Sequence, residues 1–205
     1  MSAPNLDVPL ASRLLDAIVE DILPLTEKSV GLGNKIFGAA LLNKSDYSTY
    51  LAETNNEMES PLHHGEMHLL KRYFEQDADQ RVPPSDLLFL TTHEPCSLCL
   101  SAITWSGFDN FYYFFSHEDS RDEFEIPHDL KILKEVFDVD PGQYRRNNAF
   151  WDAHGIQAWF HDCKNSLENH TKDELHEKIQ ALKSRYAQAS DQYQSGKSDN
   201  QIPLN

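Results

Sequence analysis

The chain has 205 residues, and 18 Lys and Arg against 33 Asp and Glu give it a formal net charge of −15. Forty per cent hydrophobic content sustains a core of one-domain size, while a mean hydropathy of −0.59 and the lack of any apolar run of about 18 residues exclude a membrane-spanning helix. A surface this negative repels phosphate backbones and so disfavours nucleic-acid partners.

Cysteine usage and the N-terminus bear on the compartment. Met1 to Leu10 lacks the basic-then-apolar layout of a secretory signal. The three cysteines are an odd count, and two of them lie in a C-x-x-C pair. Both facts lead us to expect metal-bound thiolates in a reducing compartment, the cytoplasm, rather than a disulfide framework.

In chain order, Ala11 to Leu23 places Leu14, Leu15, Ile18, Val19, Ile22 and Leu23 at helical spacing, with Pro24 expected to end or kink the helix. Gly31 to Asn34 is a turn. Lys35 to Leu42 reads as a buried strand, and Tyr47 to Ala52 pairs with it as a hairpin across Asn43 to Asp46. Glu53 to Leu62 is a polar loop. His64 to Gln76 is a second helix, and Pro83-Pro84 closes the connection that follows it. Asp86 to Thr92 carries an unbroken apolar run, Leu87 to Leu90, suited to a strand buried on both faces. Cys96 to Trp105 is a third helix, Phe111 to Phe115 a further strand and Leu130 to Phe137 a fourth helix. This order predicts an α/β sheet covered on both sides. In the tail, Thr171 and Glu174 read as a capping box, followed by the stripe Leu175, Ile179, Leu182 and Tyr186. The polar composition after Ala187 predicts disorder at the end.

Two stretches carry chemistry. Pro61-Leu62-His63-His64-Gly65-Glu66-Met67-His68 contains H-x-E. Thr91-Thr92-His93-Glu94-Pro95-Cys96-Ser97-Leu98-Cys99 contains P-C-x-x-C, and 28 residues separate Glu66 from Pro95. A catalytic zinc takes three protein ligands and leaves one position for water. His64, Cys96 and Cys99 supply an imidazole and two thiolates. The reaction also needs a carboxylate that carries protons without ligating the metal, and Glu66 is placed for it. Both motifs fall where a helix begins, so unpaired N–H groups and the helix dipole favour thiolates there. A structural zinc normally takes four protein ligands, and the only other cysteine is Cys163. His68 lies four residues after His64, but H-G-E-M-H is not the H-E-x-x-H of zinc proteases.

The paired motifs resemble those of the zinc-dependent deaminases. More closely, the chain is similar to the cytidine-deaminase-like superfamily in its His-Cys-Cys branch. That branch holds small guanine deaminases, cytosine deaminases, tRNA adenosine deaminases and deoxycytidylate deaminases. Glu94 to Trp105 is most similar to the guanine-deaminase type, and His64-Gly65-Glu66 reads like the cytosine-deaminase form. The resemblance spans about residues 10 to 137. It implies a three-layer α/β/α fold with a mixed five-stranded sheet, its fourth and fifth strands parallel, bound zinc and a homodimer or higher oligomer. It also implies that an asparagine ahead of the first motif, Asn55 or Asn56, contacts the base. Trp105, six residues past Cys99, would stack on a purine; the rival reading is a core aromatic. His63 would line the pocket wall. The acidic run Glu118 to Glu125 and His117 would border the pocket or form a solvated loop.

The expected organisation is therefore a zinc-dependent deaminase domain over residues 1–160, a C-terminal helical extension over 161–190 and a disordered tail over 191–205. The expected substrate is a free nucleobase or related aminated heterocycle, guanine-type first. Two alternatives stand beside it. One is tRNA adenosine or cytosine/cytidine deamination, the tRNA reading opposed by the charge, with Arg145-Arg146 the one small basic cluster outside the helices. The other is a non-catalytic partner subunit, which would have no use for Glu66. Phe150 to His154 could be pocket cover, dimer contact or core.

Overall fold

A computed structural model of the chain describes residues 4–140 and 143–204. Its centre is a five-stranded mixed sheet in the order β2-β1-β3-β4-β5. The strands are β1 Gly38–Asn43, β2 Thr49–Thr54, β3 Leu87–His93, β4 Asn110–Phe115 and β5 Asp152–Gly155. β1 is antiparallel to β2 and β3, whereas β3, β4 and β5 run parallel. The implied parallel pairing of the fourth and fifth strands is present.

Strand periodicity divides the core in two. Ala40, Leu42, Leu88, Leu90, Tyr112 and Phe114 point to one face. Their odd-numbered neighbours Ala39, Leu41, Leu87, Phe89, Phe111 and Tyr113 point to the other. The first face is covered by α1 Val8–Ala17, α2 Leu23–Val30, α7 Ile156–Cys163 and α8 Asn169–Gly196. The second is covered by α3 Gly65–Phe74 and α4 Ser97–Trp105. The short α5 His117–Asp122 and α6 His128–Phe137 follow β4. The architecture is the expected α/β/α sandwich.

Pro24 does not end the first helix. A π-helical turn over Ile18–Ile22 precedes it, and α2 continues to Val30. A proline clashes with the carbonyl four residues back and lacks its own N–H; the wider turn absorbs both defects. The Glu118 to Glu125 run is not a loop throughout. Ser116 and Asp119 form a reciprocal capping box that starts α5, and Phe124 is buried behind it. Thr171 lies inside α8, whose N-cap is Glu168.

The C-terminal region departs furthest from its composition. The stripe Leu175, Ile179, Leu182 and Tyr186 continues through Ala189 and Tyr193, all buried against the α1 and α2 layer. Lys178 pairs with Asp16 at 2.7 Å and Arg185 with Glu27 at 2.6 Å. The helix therefore runs past residue 190, and beyond it Asn200 Nδ2 donates to Gly33 O at 3.0 Å while Ile202 is buried. Apolar residues recurring every three or four positions anchor a segment whose average composition is polar. Residues 1–3 and 141–142 of the expected domain and the last residue of the expected tail lie outside the described residues.

One close approach sets the start of α3. A Cβ built on Gly65 would lie 2.7 Å from Gly38 Cα, so the helix entrance rests on the β1 backbone itself. Helix propensity would favour alanine at Gly65 by about 1 kcal/mol, but backbone on backbone has no flexible end to yield. Gly65→Ala is expected to destabilise the protein by about 1–3 kcal/mol, read as a lower urea midpoint with an unchanged slope; a higher midpoint would show that the contact is loose.

Candidate active site

The antiparallel pairing of β3 with β1 places the C-terminal end of β3 beside Gly38, on which the start of α3 rests. His64 is the residue preceding α3 and Cys96 the residue preceding α4, so both project from helix entrances. Cys99 lies in the first turn of α4 and is fully buried. The side chains meet: Cys96 Sγ is 3.5 Å and Cys99 Sγ 3.8 Å from His64 Nδ1, and the sulfurs are 3.6 Å apart. A tetrahedral zinc with ordinary bond lengths needs about 3.8 Å between sulfurs and about 3.6 Å between sulfur and nitrogen. The three atoms thus have the spacing of three corners around one ion, and the donor set suits zinc. The carboxylate of Glu66, buried at 5 % exposure, lies beside the group with Oε2 3.3 Å from Cys99 Sγ.

Electrostatics in this cluster follow from burial and proximity. Cys96 is held well below the usual thiol range, first by its hydrogen bond with Cys99 and also by His64. Cys99 is pushed well above it by burial and by the neighbouring Cys96 thiolate. Burial alone would lower His64, but the Cys96 thiolate outweighs it and raises the imidazole to about 9. Burial, followed by the Cys96 thiolate, pushes Glu66 up to about 7. The Cys99 thiol and the His64 imidazolium hold protons that a bound cation must displace.

Around the cluster lies a small inner recess lined by Phe37, His64, Glu66, His93, Glu94 and Cys96, with Asp129. It adjoins an outer cavity of about 340 Å³ that shares Phe37, His64, Cys96 and Asp129 and adds Lys35, Glu57, Leu62, Leu98 and Ile132. Pro203 and Leu204, from the stretch predicted to be disordered, line this cavity too. His93 is buried among Phe37, Phe115 and Phe124, and burial holds its imidazole well below the usual range, so this wall is neutral.

The Cys96 loop is braced from outside. Glu94 is buried at 2 % exposure and accepts from Tyr144 Oη at 2.5 Å, Arg146 Nη2 at 2.8 Å and His117 N at 3.0 Å. His117 Nε2 reaches Pro95 O at 3.1 Å. Burial would raise the Glu94 carboxyl, but His117, Tyr144 and Arg146 together hold it below the usual range. Arg146, half of the basic cluster noted in the sequence, is therefore part of the frame.

The other sequence-predicted residues are placed differently. Asn55 is buried ahead of α3: its Oδ1 accepts from Gly65 N at 2.5 Å and its Nδ2 donates to Glu57 Oε2 at 3.0 Å. Asn56 donates to Glu59 at 2.6 Å on the surface. Neither lines the recess or the cavity. His63 and Trp105 border a separate groove on the α3–α4 face, and Trp105 is 91 % exposed rather than in the core. His68 turns to Thr54 O at 3.0 Å and is not part of the cluster that His64 forms with the two cysteines. Residues 118–125 line neither space; the acidic side chain from beyond β4 that does is Asp129, in the first turn of α6. Burial, followed by the Cys96 thiolate, pushes its carboxyl up to about 6. A carboxylate just after Pro127 at a helix start was the available signal.

An α/β/α sandwich holding a three-ligand zinc centre beside a non-ligating carboxylate defines a class of hydrolytic metalloenzymes. Within that class, the family model described as the cytidine and deoxycytidylate deaminase zinc-binding region matches residues 15–115. The chain thus carries a zinc-binding region of the cytidine-deaminase-like family over residues 15–115, with the His64, Cys96 and Cys99 group inside it. Solved structures with a similar fold include a guanine deaminase from Bacillus subtilis, 20 % identical with TM-score 0.49, covering 75 % of this chain and 95 % of that one. A guanine deaminase from Nitrosomonas europaea is 17 % identical with TM-score 0.47, covering 87 % of this chain and 86 % of that one. A structure from studies of A-to-I editing by tRNA:A34 deaminases is 19 % identical with TM-score 0.42, covering 65 % of this chain and 92 % of that one. No curated protein matches the chain.

Zinc binding at pH 7 must strip His64 and Cys99 of protons, whereas Cys96 is already a thiolate. Calorimetry of zinc addition in buffers of different ionisation enthalpy is expected to show release of about two protons per ion, with more from Glu66. Cys99→Ser is expected to lower bound zinc well below one per chain by elemental analysis. Release of no protons would contradict this account of the ligand set.

Proposed function

We propose that the chain hydrolytically deaminates a free aminated heterocycle, a nucleobase of guanine type first. The observation that carries this reading is the shared cavity: His64, Cys96, Glu66 and Asp129 converge on a recess too small for more than water, and beside it lies a space of about 340 Å³. That space is of ligand-pocket size and lined largely by apolar side chains, as a flat ring requires. The net charge of −15 and the engagement of Arg146 by Glu94 oppose a tRNA substrate.

Zinc held by His64, Cys96 and Cys99 would supply an activated water. Glu66 then acts as the proton carrier. Its carboxyl, pushed up to about 7 by burial, is drawn back down by a cation alongside, so both protonation states are accessible near neutrality. It takes one proton from the attacking water and places it on the ring nitrogen, then takes a second from the hydroxyl now on the ring carbon and gives it to the amino group, which leaves as ammonia. Asp129 lines the same space, and no side chain among the described residues hydrogen-bonds its carboxylate. It is placed to accept from an N–H of the ring. Phe37, Leu62 and Leu98 enclose the ring faces.

We further propose a homodimer built on the α3–α4 face, with Trp105, 91 % exposed, and Phe74, 47 % exposed, as its apolar contacts. A buried stacking role for Trp105 within its own chain is not available in this geometry. We also propose a cytoplasmic location, because Cys96 and Cys99 stay available to a metal in a reducing compartment.

Glu66→Gln is expected to keep zinc bound and lower ammonia release by roughly a hundred- to ten-thousandfold, measured against guanine, cytosine, adenine and aminopterins; retained turnover would remove Glu66 from the reaction. Trp105→Glu is expected to shift the mass by light scattering from dimer to monomer. A wild-type chain that is already monomeric at high concentration would end the dimer proposal.

A further inference from the structure

The resemblance assigns substrate recognition to an asparagine, yet the Asn55 amide is turned inward. Its carbonyl is taken by Gly65 N and its NH₂ by Glu57, and it does not line the cavity. The cavity wall next to it carries a buried ion pair instead. Lys35 Nζ donates to Glu57 Oε1 at 2.8 Å, and Glu57 Oε2 accepts from Lys35 N at 3.1 Å. The two side chains are 7 % and 1 % exposed, and both line the outer cavity.

A lysine ammonium has three N–H donors. Among the described residues, Glu57 is the one acceptor in hydrogen-bond reach of Nζ. Glu57 is already engaged by Lys35 N, Lys35 Nζ and Asn55 Nδ2, so it fixes the ammonium in place. Burying such a pair gives up hydration that apolar residues of the same size would not need. Buried donors are normally satisfied, and here the remaining ones belong to a side chain on a cavity wall.

The surrounding charge narrows the acceptor. Glu57 neutralises Lys35, while Asp129 on the same wall set and Glu66 in the adjoining recess are acidic. Among the described Lys, Arg, Asp and Glu side chains that line the two spaces, Lys35 stands against Glu57, Asp129, Glu66 and Glu94, a negative balance that disfavours a phosphate or a carboxylate. A neutral ring oxygen matches the Lys35 donors, and a ring N–H beside it matches Asp129.

We propose that Lys35, clamped by Glu57, is a specificity-determining residue that donates to a ring oxo group, so that the substrate class is an aminated oxo-heterocycle without phosphate. The proposal rests on the deaminase reading for the chemistry but not for the binding.

The test measures binding to zinc-loaded protein by calorimetry, with ammonia release followed in parallel. The probes are guanine against 2-aminopurine and cytosine against 4-aminopyrimidine, pairs that differ by one oxo group. The wild-type protein is expected to prefer the oxo-bearing member of at least one pair by roughly 10–100-fold, the scale of a hydrogen bond to a charged group. In Lys35→Met the preference is expected to fall to about one, with zinc content and binding of the oxo-lacking probe unchanged. Lys35→Met combined with Glu57→Gln gives the same readout without an unpaired buried carboxylate, should the single variant not fold. An oxo preference that survives these variants overturns the proposal. So does its absence from the wild type, failure to bind any of the four probes, or tighter binding of cytidine 5′-monophosphate than of cytidine. A Lys35-dependent preference without ammonia release would sustain Lys35 and defeat the deaminase reading.

Discussion

The site depends on bringing two helix entrances within a few ångströms of each other over one end of the sheet. Helix termini leave N–H groups unpaired, and these stabilise thiolates without neighbouring cations. A net charge of −15 offers little help of that kind from elsewhere. The spacing is held from two sides. Gly65 rests directly on the Gly38 backbone, with Asn55 accepting its N–H. On the other side the Cys96 loop is braced by Glu94, held by His117 just after β4 and by Tyr144 and Arg146 from a part of the chain some 50 residues away. Small changes in either brace would move a ligand atom by a sizeable fraction of a zinc bond length.

The same framing explains why a carboxylate and an imidazole can have displaced acidities while the fold remains intact. Burial works against Glu66 as an anion and against His64 as a cation, and the Cys96 thiolate decides the outcome for the histidine. A cluster that holds displaceable protons in a closed recess is poised to exchange them for a metal. The buried pair of Lys35 and Glu57 is different in kind. It lies on the wall of the larger space, where its charge is cancelled and its hydrogen-bond geometry is fixed. Metal-binding chemistry and shape recognition are thus carried by separate side chains with separate electrostatic logic.

The C-terminal third shows how patterning overrides composition. Residues after Ala187 are polar on average, and average polarity predicts disorder. Yet Ala189 and Tyr193 extend the stripe begun at Leu175, and Pro203 and Leu204 return to the cavity. The last segment of the chain therefore helps to shape the space that the two motifs open. β5 escaped a sequence reading for a related reason. Asp152 to Gly155 is only four residues long and half-buried, with no apolar run to mark it. It exists because β4 offers a parallel edge for it to pair with.

The sequence alone was enough to pick out the side chains that cluster at the centre. His64, Cys96 and Cys99, with Glu66 beside them, are legible because a metal site demands particular residue types at local spacings, and local spacing is written along the chain. The strands β1, β3 and β4 and the helices α3 and α4 were legible for the same reason, since apolar periodicity is a local signal. What surrounds the metal was decided only in three dimensions. Asn55 became a clamp, Trp105 faced outward, and Lys35, Glu57 and Asp129 came to line the cavity from three separate segments. A cavity wall is assembled from residues distant in sequence, and the direction in which each side chain points depends on packing that no short window of the chain contains.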